Sequence, residues 1–273
     1  MSHHTVIFLL LCHAHTIKSA FFPPNRNNNH INRLMTTHIT LECDFTYTSL
    51  GYSCNSHNLN IVSPNVTILR VTGEHHINTR NIEVSALSIS NQNIRYIPEN
   101  LAMFFRNLES LTIYRSNLEH LRFVDFNGLF RLRKLFIQGN NLQYIEENVF
   151  KAIPNLEILD LSANHITVIP FSMFSLAKSL RFLTLSNNLI KIFDIFPFPV
   201  NCQLEELRLD GNQLVRINLA SFMNVLHVRR IDLHGNVCIN RSFPNDARSL
   251  IALFTEIVHF CNTGIENGWI HYH

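Results

Sequence analysis

Apolar residues return along this chain at a fixed interval. Leu156, Leu159 and Leu161 are followed by Asn164, Ile166 and Ile169, and the same spacing recurs in both directions. Its first apolar position falls on Val84, Leu108, Leu132, Leu156, Leu180, Leu204 and Val228, each 24 residues after the last. A constant period of this size marks a stack of repeated units, a solenoid, whatever domain count the length suggests. Within a unit, Leu159 and Leu161 lie two apart and so point to one face, with the residues between and beside them on the other, which is the period of a strand. Each unit therefore predicts one short strand with two inward leucines. One such strand cannot hold itself together. Stacked copies pair their backbones in a parallel sheet and bury one continuous core.

Other positions keep the same phase. Asparagine recurs at Asn140, Asn164, Asn188, Asn212 and Asn236. A buried amide left without partners costs roughly 1–3 kcal/mol, so these side chains are expected to bond loop backbone of their own and neighbouring units. Phe126, Phe150, Phe174, Phe198 and Phe222 predict a stacked aromatic spine on the back, and Ile97, Leu121, Ile145, Ile169, Phe193 and Ile217 a second apolar ladder. The first two units depart from the pattern, with Gln92 and Ser116 in the asparagine place and Ala102 in the phenylalanine place. Terminal repeats are often atypical because they adjoin a cap.

Because the phase is known, the residues on the outward face of each strand can be listed. Three columns result: Ala86, Ser110, Lys134, Ile158, Phe182, Glu206, Arg230; then Ser88, Thr112, Phe136, Asp160, Thr184, Arg208, Asp232; then Ser90, Tyr114, Gln138, Ser162, Ser186, Asp210, His234. In the middle, Tyr114, Phe136, Ile158 and Phe182 place apolar side chains where water is expected, rimmed by Arg115 and Lys134. Aromatics with flanking cations are what the centre of a binding interface favours, so these six residues are the candidate ligand-binding site. The competing reading is that they merely cover one another or lie under the N-terminal segment. Further on, Glu206 opposite Arg230 and Arg208 opposite Asp232 predict ion-pair ladders between adjacent strands.

The ends differ in kind. Residues 1–20 carry a short apolar run, Val6–Leu11, followed by small residues, and read as a secretory signal peptide. Residues 21–40, rich in Pro and Asn, read as a disordered lead-in. Residues 41–83 form an N-terminal cap. There Cys43 and Cys54 flank a hairpin turning at Gly51, and Val66, Leu69 and Val71 suggest a degenerate extra repeat. The repeats occupy 84–236. A C-terminal cap, 237–262, follows, with a helix from Asp246 to about His259, Asn245 as its N-cap, and Leu250, Leu253, Phe254, Ile257 and Val258 on one face. Residues 263–273 are a tail. Asn65-Val66-Thr67 and Asn240-Arg241-Ser242 are glycosylation sequons.

The six cysteines favour an oxidising compartment. Cys12 leaves with the signal, Cys43 with Cys54 and Cys238 with Cys261 make two cap disulfides, and Cys202 remains. It is either a buried thiol or the link in a disulfide-bonded homodimer. A net charge of +2 decides little, arguing only against a strongly basic nucleic-acid binder and against an acidic tail. No apolar stretch after the N-terminus is long enough to predict a membrane span. Sixteen histidines are a supply of metal ligands, yet no H-E-x-x-H, C-x-x-C or G-x-S-x-G occurs. No enzyme, cofactor or metal site is expected.

The motif L-x-x-L-x-L-x-x-N-x-L-x-x-L, carried by residues 156–169 and their copies, resembles that of leucine-rich-repeat proteins. With the flanking cysteines the resemblance is to extracellular members, and Cys43, Phe45, Gly51, Tyr52 and Cys54 resemble the corresponding segment of small secreted insect proteins of this class. The resemblance implies an α/β solenoid, a curved horseshoe with a parallel sheet on its concave face, six to seven 24-residue repeats and disulfide-bonded caps. It further implies a secreted, non-enzymatic module that binds a protein or other extracellular macromolecule through the concave face, in innate immune recognition or cell adhesion. The alternative is an intracellular scaffold of the same fold without a functional signal peptide.

Overall fold

The computed structural model describes residues 37–195, 198–199, 203–222, 228–244 and 246–261. Cys202, Asn245, the signal segment 1–20 and the tail 263–273 lie outside these residues, as does all of the lead-in before residue 37.

Strand alternation and the 24-residue period translate directly into a sheet. Ala86–Ser90, Ser110–Tyr114, Lys134–Phe136, Ile158–Asp160, Phe182–Thr184, Glu206–Arg208 and Arg230–Asp232 lie side by side, all parallel. Their register matches the repeat residue for residue: Ile158 faces Lys134 on one side and Phe182 on the other. Behind them Leu135, Leu159, Leu183 and Leu207 are buried and form part of one apolar core that runs from Leu41 to Cys261. The back ladder is buried as expected. The phenylalanine spine steps from Phe126 to Phe150 (6.3 Å), Phe174 (6.3 Å) and Phe198 (5.4 Å), while Phe222 packs against Phe193 at 5.6 Å.

The asparagines close the turns by one repeated geometry. Each Nδ2 donates to a carbonyl of the preceding repeat, as Asn188 does to Leu161 O (3.0 Å), and each Oδ1 accepts a backbone N–H, as from Ile166 N (3.1 Å). Asn140, Asn164, Asn212 and Asn236 do the same. Gln92 and Ser116 are substitutes for the amide. Gln92 reaches into the cap, donating to Ser56 O and accepting from Leu59 N; the shorter Ser116 donates to Ile89 O. The residue just before the ladder position is left-handed in every repeat: Asn91, Arg115, Gly139, Ala163, Asn187, Gly211 and Gly235 all have φ between 47 and 66 degrees. Non-glycine residues hold this φ in four of the repeats, but at Gly211 a Cβ would also collide with the Asn187 side chain.

The caps close the two ends of the sheet. Strands Thr37–Thr48 and Gly51–His57 form an antiparallel hairpin bridged by Cys43–Cys54. The hairpin starts at Thr37, inside the segment expected to be a disordered lead-in, because Ile39 pairs with Ile68 and packs against the core. Its second arm pairs with the first repeat, Cys54 opposite Leu87. Val66–Thr72 is therefore not an extra repeat. It adds to the outer side of the hairpin, with Val66 and Ile68 buried and Leu69 66% exposed. At the far end Ser242–Pro244 runs antiparallel to Arg230–Asp232, and the helix Ala247–Phe260 is tied back by Cys238–Cys261. Asp246 is the helix N-cap, accepting from Ser249 N at 2.8 Å. Leu253 and Ile257 enter the core, whereas Val258, expected on the same face, is 54% exposed. A parallel arm of the hairpin at one end and an antiparallel strand at the other leave no repeat strand as an open edge.

Candidate recognition surface

The face of the sheet opposite the core carries the three outward columns. Parallel register brings Lys134, Ile158 and Phe182 into line and sets Phe136 beside Asp160 on the next strand. Tyr114 lies on the strand before, so the four apolar side chains come from adjoining strands, within the distance at which diagonal neighbours touch. All four are half-buried, which is how apolar groups sit on a sheet face that no other described element covers. The guanidinium of Arg115 lies over the Tyr114 ring at 5.0 Å and that of Arg181 over Phe182 at 5.4 Å. Arg115 is exposed, and its left-handed backbone (φ 47) turns it to the rim of the sheet. The four apolar residues thus run diagonally across the face, between Lys134 at one edge and Arg115, level with Gly139, at the other.

Not every outward position is open. Ala86 and Ser110, at the N-terminal end of the first column, are buried, and Ser110 Oγ, 2% exposed as a residue, has no hydrogen-bond partner among the described residues. Ser186 and Asp232 are buried as well, for a different reason. Ser186 donates to Asp210 at 2.6 Å, and Asp232 is enclosed by Arg230 (2.6 Å) and His234 (2.8 Å). Burial alone would raise the Asp232 carboxyl, but the His234 hydrogen bonds and the Arg230 charge outweigh it and lower its pKa.

The ion pairs expected across the last strands do not form. Among the described residues, Arg208 pairs with Asp210 (3.3 Å) and Arg230 with Asp232, each along its own strand. Side chains two apart on a strand share a face, and the nearer carboxylate wins. A ladder between strands does exist one position earlier. Residues 109, 133, 157, 181, 205 and 229 read Glu, Arg, Glu, Arg, Glu, Arg. Arg133 meets Glu157 at 2.6 Å, Arg181 bonds Glu205, and Arg229 reaches Glu205 at 3.2 Å. The alternation is legible at the repeat period, but it falls just outside the three columns that strand alternation singles out. Glu109 joins Arg131, Arg133 and Glu157 around a shallow cavity of about 340 Å³ on that edge.

Away from the face, Asp125 is the most perturbed group. Burial pushes its carboxyl up to about 6 against the hydrogen bonds and charge of Arg122, which donates from its backbone N (2.7 Å), Nε (2.9 Å) and Nη2 (2.6 Å). His57 sits between Glu42 (3.3 Å) and Asp44 (3.6 Å) on the cap hairpin, and His75 bonds Tyr52 and Asn81. Among the described residues no three of His, Cys, Asp and Glu gather in a way that could hold a metal. No described helix is long and apolar enough to cross a membrane. Asn240 is exposed and its Oδ1 accepts from Gly235 N (2.7 Å); Asn65 is half-buried with φ 63.

Residues 130–190 match the family model described as leucine rich repeat. No curated protein sequence matches the chain. Among solved structures, the leucine-rich repeat domain of APL1 is similar over 72% of this chain and 48% of that one, at 19% identity and a TM-score of 0.56. The Drosophila Toll–Spatzle complex is similar over 67% of this chain and 27% of the matched one, at 20% identity and a TM-score of 0.51. The chain thus spans about half the length of the first of these and about a quarter of the second.

Proposed function

Taking the chain as a leucine-rich-repeat solenoid with disulfide-bonded caps, we propose that it is a secreted, non-enzymatic recognition module that binds a protein partner across the open face of its sheet. The observation that carries this reading is the patch of Tyr114, Phe136, Ile158 and Phe182, four half-buried apolar side chains on a face whose other open positions are polar, with Arg115 and Lys134 at its rim. A folded chain keeps such a group at its surface when another molecule covers it. Two disulfides favour an oxidising compartment over the cytosolic scaffold. Toll, whose fold is similar, is seen in complex with Spatzle, and its innate-immune setting supports a role for this chain in immune recognition or adhesion.

Two measurements test the reading. The first is intact mass of protein from the medium of insect cells, before and after reduction. A monomer gaining four protons would support the two cap disulfides with Cys202 as a free thiol; a dimer split by reduction would make Cys202 the link. Glycan mass is expected first at Asn240, which is exposed, and second at the half-buried Asn65. The second is a binding screen of the secreted chain against a panel of extracellular protein domains. Phe136→Ser with Phe182→Ser should abolish the binding found while secretion stays normal. Unchanged binding would remove the patch from the function.

A further inference from the structure

The charges of the open face are unevenly satisfied. Asp160 accepts from Gln138 Nε2 and Ser162 N, Arg208 pairs with Asp210, and Asp232 is held by Arg230 and His234. The edge beside it is a self-neutralising ladder of arginine and glutamate, and Glu109 at its start shares a cavity with Arg131 and Arg133. Apart from Glu109 and Arg131 at that edge cavity, the charged side chains with neither an ion pair nor a hydrogen bond, among the described residues on or rimming the face, are Arg115, Lys134 and Glu206. Arg115 has only the Tyr114 ring beneath it. These three are not scattered. The two cations stand at the Tyr114–Phe136 end of the apolar patch. Glu206 stands at the Phe182 end, in the same column as Lys134 and three strands away, about 14 Å at ordinary strand spacing. The patch therefore has a direction, positive at one end, apolar in the middle and negative at the other, running across the strands.

Resting on the recognition surface proposed above, we infer that its partner presents a protein segment lying across the strands with the opposite order of chemistry. A carboxylate meets Lys134, an apolar or aromatic side chain enters between Phe136, Ile158 and Phe182, and a cation meets Glu206, while Arg115, level with Gly139, adds positive charge farther along the same end. Apolar contact supplies the contact area, while the two uncompensated ends set the direction and penalise a segment carrying like charges.

The test uses a displayed library of random 12-residue peptides selected on the immobilised full chain. Each selected peptide is then tested on the Phe136→Ser, Phe182→Ser double variant to find those that use the patch. The expected result is that patch-dependent peptides share the order acidic, apolar, basic. A synthetic copy of one such peptide with its acids and bases exchanged should bind the wild-type chain about tenfold or more weakly. Binding of the exchanged peptide should be restored by Lys134→Glu with Glu206→Lys, a swap that lies on the solvent side and leaves the core untouched. Patch-dependent peptides without a charge order, or an exchange that the double swap does not rescue, would overturn the inference and leave the recognition surface standing. If no selected peptide depends on Phe136 and Phe182, the recognition surface itself fails, and this inference with it.

Discussion

Each central strand of the sheet gives alternate residues to two faces that obey different rules. On the core side, Leu135, Leu159, Leu183 and Leu207 are interchangeable, one leucine per repeat, all buried. On the other side the same strands carry Lys134 and Phe136, Ile158 and Asp160, Phe182 and Thr184, Glu206 and Arg208, with no period at all. Stacking explains the first. A repeat can bury its face only against a copy of itself, so the inward positions must match from one repeat to the next. Nothing in the stack requires the outward positions to match, so their chemistry is free to suit something outside. The proposed recognition face rests on this difference.

The largest test of this contrast is Leu159→Ala. It should cost about 2–5 kcal/mol, read as a shift in the denaturant midpoint, because a buried leucine in a continuous core leaves a cavity shared with two neighbouring repeats. A loss below about 1 kcal/mol would mean that the repeats are not mechanically coupled. Next in size is the pH dependence from Asp125, the buried charge of the back side. Its pKa is raised from 3.8 to about 6 by burial, so the folded protein takes up this proton before the unfolded chain does. Its contribution is full below pH about 4 and is lost as pH rises toward 6, roughly 3 kcal/mol at most. The difference between wild type and Asp125→Asn should therefore change across that window and be flat above pH 7. A difference that stays constant from pH 4 to 7 would show that Arg122 keeps the carboxylate ionised throughout.

Smaller still is the stability effect of Phe182→Ser. An outward, half-buried ring should cost no more than about 1 kcal/mol, against the several expected for Leu159, one residue-pair away in register. A loss as large as that of Leu159→Ala would make Phe182 part of the core. The smallest effect is a gain. Ala163 holds φ 53, a conformation that an L residue adopts with strain, and glycine occupies its equivalents at 139, 211 and 235. Ala163→Gly should raise stability by about 0.5 kcal/mol, the relief of strain exceeding the entropy that glycine adds to the unfolded chain. An unchanged or lower melting temperature would show that the turn is not under strain at this repeat.

Most of the repeat architecture is legible in the amino-acid sequence. Val84 through Val228 mark the strands, Asn140 through Asn236 the turns, and Phe126 through Phe198 the back, because each of these is a local requirement repeated at constant spacing. The candidate patch is legible for the same reason: once the period sets the inward residues, the outward ones follow. Cys43–Cys54 and Cys238–Cys261 follow from their places beside the first and last strands. Spacing does not say which cap strand meets the first repeat. Val66, Leu69 and Val71 keep the repeat phase, yet it is Cys54 that lies opposite Leu87, since the hairpin places its second arm there and sends Val66–Thr72 to the outer side. Nor does spacing choose between a carboxylate across the strands and one two residues along, which is how Arg208 comes to Asp210 and Arg230 to Asp232. The burial of Ser110, its hydroxyl without a partner among the described residues, is likewise a property of the assembled surface. What the chain determines by itself is whatever each repeat must do alone or to a copy of itself. What the tertiary structure decides is where unlike parts meet, at the caps and between charged side chains, because those outcomes depend on distances that no period encodes.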